Sequence, residues 1–138
     1  MSSLPVRIEA ETVKALRRRS AESGEPMARL AQRYIDEGIR TERHPGVFFR
    51  TGPAGRRAVL VGGPDVWEVI VAVVGAPERG EALIEAIAER VGIPPERVRI
   101  ATRYYSEYPE EIDQWIAMVE EEAEQLEKAF ERERRLLE

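Results

Sequence analysis

The stretch Leu4-Pro5-Val6-Arg7-Ile8 alternates apolar and other residues, and no second strand-like run follows before residue 46. Alternation of this kind marks a strand with one buried face. A strand of five residues has no stability alone, because its backbone N–H and C=O groups lack a ladder partner. The simplest partner is the same segment of a second copy, paired antiparallel. The head of the chain is therefore expected to fold as a homodimer.

Two helices are expected after this strand. The first covers residues 10–23, with Val13 and Leu16 inside and Lys14, Arg17, Arg18 and Arg19 outside. Gly24 ends it, and Pro26 suits the first turn of the next. That second helix carries an apolar stripe of Met27, Leu30, Ala31, Tyr34, Ile35 and Ile39, with Gly38 at its expected fraying end. Residues 40–46 are polar, end in Pro-Gly, and mark the expected domain boundary.

This strand-helix-helix order over residues 3–42 resembles the ribbon-helix-helix fold of bacterial repressors of the Arc and CopG type. The resemblance implies that the ribbon enters the DNA major groove and that its solvent-facing residues, Ser3, Pro5 and Arg7, meet base edges. Arg7 has the fork that grips guanine. The start of the second helix, at Met27 and Ala28, would offer backbone N–H groups to phosphate. Two residues depart from the pattern. Pro5 cannot donate a ladder hydrogen bond, and Glu25 would repel phosphate.

The middle of the chain reads as a hairpin followed by helices. Val47-Phe48-Phe49 and Ala58-Val59-Leu60-Val61 are strand-like and flank a turn-rich loop at 50–57. Asp65 can cap a helix running to about Val74 that is apolar nearly all round and therefore expected to be buried. Residues 80–91 and a helix from Pro95 flank Gly92-Ile93-Pro94 and have helix-turn-helix spacing: Ala88 at the close approach, Gly92 at the turn, and Ile87, Val91, Ile93, Val98 and Ala101 between the helices. The exposed side of the second of these offers Arg97, Arg99, Thr102 and Arg103 to DNA.

The runs Arg43-His44-Pro45-Gly46-Val47, Gly52 to Ala58, Gly63-Pro64-Asp65-Val66-Trp67-Glu68-Val69, Val98 to Tyr105 and Tyr108-Pro109-Glu110-Glu111-Ile112-Asp113 resemble a bacterial family first defined as a domain of unknown function. It is a helix-turn-helix module of VapB-like antitoxins. The resemblance spans about residues 43–115. It implies binding to operator DNA and neutralisation of a toxin, often a PIN-like ribonuclease.

From Glu110 the chain reads as one long helix. Charge is distributed unevenly along the sequence: residues 1–50 hold ten Lys/Arg against seven Asp/Glu, residues 51–108 seven against eight, and residues 109–138 four against eleven. A basic head fused to an acidic tail suggests a polyanion for one and a basic protein surface for the other. In the tail, Val119, Ala123, Leu126, Phe130 and Leu137 form an apolar seam suited to a partner's groove, with self-association of two copies as the competing reading.

Other chemistry is excluded or disfavoured. There is no cysteine, so disulfides, thiol nucleophiles and thiolate zinc sites are out. The single histidine, His44, lies in the Pro-Gly linker and is expected to be structural. Gly62-Gly63-Pro64 lacks the pattern and the lysine of a phosphate loop. No enzymatic activity, metal or cofactor is expected. No apolar run reaches the length of a membrane span, and the opening residues have no signal-like core, so a cytoplasmic location is expected.

The combined expectation is a mainly α protein with short β elements. It comprises a ribbon-helix-helix module (1–42), a hairpin plus helix-turn-helix bundle (43–118) and an acidic partner-binding helix (119–138). The expected function is a homodimeric type II antitoxin and autorepressor. The alternatives are a stand-alone dimeric regulator without a toxin, and an adaptor that does not bind DNA.

Overall fold

Gly24 adopts the left-handed conformation at φ 75° that ends a helix, and its N–H donates to the Ser20 carbonyl at 2.9 Å. It separates α1 (Ala10–Ser23) from α2 (Met27–Arg43) in a computed structural model that describes residues 2–138. Together with the segment before α1 these helices form one compact unit, Met1–Arg43; His44–Glu138 form a second. The second unit contains β1 (Val47–Gly52), β2 (Gly55–Leu60), α3 (Val66–Gly75), α4 (Gly80–Val91), α5 (Pro95–Glu107) and α6 (Pro109–Leu137). The protein is mainly helical, with one antiparallel hairpin among the described residues.

Residues 2–9 are neither strand nor helix, contrary to the strand expected at 4–8. The reason is the one that made the segment informative: a single chain offers no edge to pair with. Leu4, Val6 and Ile8 are 81%, 61% and 47% exposed. Three further expectations for this unit need correction. Pro26 sits just ahead of α2 rather than in its first turn, and its carbonyl accepts the Leu30 N–H at 3.1 Å. The helix does not fray at Gly38. It continues to Arg43, so residues 40–43 are helical and not linker. A mid-helix glycine costs about 1 kcal/mol, and favourable last-turn contacts oppose that cost. Arg40 pairs with Asp36 at 3.2 Å, and Arg40 and Arg43 place positive charge at the helix C-terminus.

In the second unit the hairpin is longer than expected and its loop shorter. The ladder runs from Val47↔Leu60 to Gly52↔Gly55, leaving only Pro53-Ala54 as the turn. Its buried face presents Val47, Ala58 and Leu60 to Val66, Val69 and Ile70 of α3, Ile87 and Ala88 of α4, Val98, Ala101 and Tyr104 of α5, and Ile112 of α6. The helix α3 is not buried all round. Val71 and Val74 are 43% and 75% exposed, because only one side meets the core.

The turn between α4 and α5 follows the sequence closely. Gly92 has φ 81°, and the N–H groups of Gly92 and Ile93 both donate to the Ala88 carbonyl, at 2.9 and 3.0 Å. No atom lies within 4 Å of where a Gly92 side chain would begin. Gly92→Ala therefore tests backbone strain alone. It should lower stability by about 1–2 kcal/mol in urea denaturation, the cost of the left-handed region for a residue with a Cβ. An unchanged midpoint would mean that the turn relaxes.

Pro109 opens α6 directly after Tyr108, and α6 then runs unbroken for 29 residues. Residue 119 marks no break in it. Every residue from Glu120 onward is exposed.

Candidate nucleic-acid interface

The α1–α2 junction is built by short-range bonding. The Ser20 hydroxyl donates to the Glu25 carbonyl at 2.6 Å, and the Glu25 N–H donates to the Ser23 hydroxyl at 3.2 Å. The Glu25 carboxylate takes two bonds from Arg33, at 2.7 and 2.8 Å. This ion pair holds the Arg33 guanidinium more firmly charged than usual. The carboxylate that threatened to repel phosphate at the start of α2 is thus neutralised within the unit. The first turn of α2 itself contains no acidic residue. Ala28 is exposed there and Met27 half-buried.

Ser3 and Arg7 lie in the exposed segment before α1. That segment lies beside α2. Ser2 and Leu4 line a depression with Ala28, Arg29, Gln32 and Ile35, while Ile8 lines a second with Leu16, Ala31, Tyr34 and Ile35, of about 440 Å³. Tyr34, Ile35 and Ile39 are 41%, 60% and 53% exposed. The unit thus exposes apolar side chains of the N-terminal segment and α2 side by side, interrupted in the first depression by Arg29, Gln32, Arg33 and Asp36. Arg17 and Arg18 are exposed on α1, and Arg19 bonds Glu22 at 3.3 Å.

The second set of predicted DNA contacts, on α5, is less open. Arg99 is ion-paired with Glu81 of α4, and its Nη1 is buried without a hydrogen-bond partner. The Thr102 hydroxyl donates to the Arg99 carbonyl at 3.0 Å. The Arg97 guanidinium lies over Gly62, 3.1 Å from where a Cβ would stand. Arg103 is exposed, with Glu96 at 3.7 Å. Both arginines facing α4 and the start of α5 therefore have acidic neighbours in the same unit.

Two polar clusters were not foreseen. Arg57 of β2 donates to Asp65, and the Trp67 indole N–H donates to the same carboxylate at 3.1 Å. Asp65 does occupy the N-cap of α3, and the Glu68 carboxylate accepts the Asp65 N–H at 3.2 Å. Its own carboxylate is nonetheless anchored to the hairpin. The second cluster surrounds His44, which is 9% exposed. Its Nε2 lies 2.8 Å from Glu107, and its ring meets Tyr104 and Tyr108 edge-on at 5.2 and 6.0 Å. Sixty-three positions separate His44 from Glu107, so no local spacing signals the pair. Tyr105 donates to Asp113 at 2.8 Å, which raises its phenol above the usual range and ties α5 to α6.

The tail residues divide by burial. Val119 is half-buried, whereas Ala123, Leu126, Phe130 and Leu137 are exposed. No group of three or more potential metal ligands occurs among the described residues, and none of their helices is long and apolar enough to cross a membrane. Comparison with known proteins finds no matching family model, no curated relative and no solved structure of matching fold.

Proposed function

We propose that this chain is a homodimeric DNA-binding repressor of the antitoxin kind. In this reading the N-terminal arm meets operator DNA and the free end of α6 holds a toxin of the ribonuclease class. One observation carries it. Leu4, Val6 and Ile8 lie unpaired and exposed beside an equally exposed stripe, Tyr34, Ile35 and Ile39, on a two-helix unit. A second copy supplies both what the backbone lacks, a ladder, and what the side chains lack, a cover. Pairing of the arms turns Ser3 and Arg7 to the face opposite the apolar one, because successive strand side chains alternate. The Glu25–Arg33 pair supports phosphate approach at the start of α2. The acidic neighbours of Arg99 and Arg103 favour the arm over α5 as the base-reading element.

The test is fluorescence anisotropy on the DNA upstream of the protein's own coding sequence, titrated with salt. The native chain should bind it more tightly than random DNA and lose affinity steeply with salt. Arg7→Ala should weaken binding by about 1–3 kcal/mol and leave the unfolding midpoint unchanged, since Arg7 is exposed. Absence of any preference over random DNA at low salt would overturn the repressor reading.

A further inference from the structure

We infer that, in the chain without a foreign partner, the exposed half of α6 pairs antiparallel with the same segment of a second copy. The apolar residues 112, 116, 119, 123, 126, 130 and 137, with Glu133 filling the one remaining slot, are separated by alternate steps of four and three. That is the spacing of a two-helix seam. Ile112 is buried in the second unit and Val119 half-buried; beyond them the same seam emerges uncovered, with Leu126 72%, Phe130 66% and Leu137 78% exposed.

Charge identifies the occupant. Residues 120–127 contain five glutamates and no cation, whereas residues 128–135 contain Lys128, Arg132, Arg134 and Arg135 against Glu131 and Glu133. The segment is therefore complementary to its own reverse. Antiparallel pairing about the 126–130 turn places Leu126 of one copy opposite Phe130 of the other and Val119 opposite Leu137; of the flanking positions, Glu120 and Arg134 meet twice, against a single Glu127–Glu127 approach at the centre. Parallel pairing in register would instead set Glu122 against Glu127 of the other copy and bring the two acidic stretches together. The exposed stretch 119–137 is about 28 Å long as helix, enough for five turns of contact. This pairing covers the seam that a toxin would use, so the two occupants exclude one another. The inference does not depend on DNA binding.

The natural chain has no cysteine, which makes disulfide trapping clean. Ala123→Cys and Glu133→Cys, each made in the full chain, occupy facing slots of the antiparallel pair but lie about 15 Å apart along one helix. After mixing and mild oxidation, non-reducing electrophoresis should show cross-linked dimer in the mixture and none with either variant alone. Adding Leu126→Asp to both should abolish the cross-link while circular dichroism shows the rest of the chain folded. Cross-linking of either variant with itself would indicate parallel pairing and overturn the proposal. So would a cross-link that survives Leu126→Asp, or no cross-link in the mixture, which would leave the seam to a foreign protein alone.

Discussion

Tyr104→Ala should lower the unfolding free energy by about 3–5 kcal/mol, the range for deleting a buried aromatic side chain. Tyr104 is fully buried. Its ring meets the distant His44 at 5.2 Å and Phe49 of β1 at 6.4 Å, and the neighbouring Tyr108 at 4.9 Å. Its hydroxyl donates to Glu111 of α6 at 2.6 Å. Removing the ring leaves a cavity bordered by the hairpin and α5, which cannot collapse without moving the ladder. Tyr104→Phe keeps the ring and loses the hydroxyl with its bond to Glu111. Glu111 is exposed, so its carboxylate recovers water, and the loss should be only about 0.5–1.5 kcal/mol. Urea denaturation of both variants separates the two contributions. Similar losses for the two would show that the hydroxyl, and not the packing, holds this part of the core.

The second large effect concerns assembly. On the proposed dimeric-repressor reading, Ile35→Asp should convert the head to a monomer and weaken operator binding by more than about a hundredfold, because paired half-sites gain that much from being linked. Ile35 borders both depressions beside the N-terminal arm, yet 60% of it is exposed within one chain. An aspartate there meets water in the monomer and should change its stability by no more than about 0.5 kcal/mol. In the dimer the same carboxylate would be buried without a partner, a cost of several kcal/mol. With Leu126→Asp added to remove the α6 pairing, sedimentation and anisotropy on the same samples would show monomer and loss of DNA affinity together. An Ile35→Asp protein that still binds operator as a head dimer would place the interface elsewhere. A protein that unfolds would show that Ile35 supports the single chain instead.

Local signals read accurately where the physics is local. Helix spans at 10–23 and 80–91, the Gly24 and Gly92 turns and the break before Pro109 all follow from φ-restricted residues and 3.6-residue periodicity. Errors arose where a neighbour decided. Gly38 sits inside α2, because contacts in the last turn offset its weak propensity. All of the 50–57 loop but Pro53-Ala54 became ladder, because cross-strand pairing reached Gly52↔Gly55. The apolar α3 kept an open side at Val71 and Val74, because the core meets it from one direction only.

The candidate sites show the same division. Sequence alone singled out Ser3, Arg7, the basic positions on α5 and the acidic end of α6 as candidates, since charge and alternation are properties of the chain. Only the folded unit showed that Arg33 neutralises Glu25, that Glu81 holds Arg99, and that His44 finds Glu107 across sixty-three positions. These pairings depend on how helices and hairpin cross, which no spacing along the chain encodes. Periodicity determined which faces are apolar. Tertiary packing decided which of those faces were left uncovered: the arm with α2, and the far half of α6.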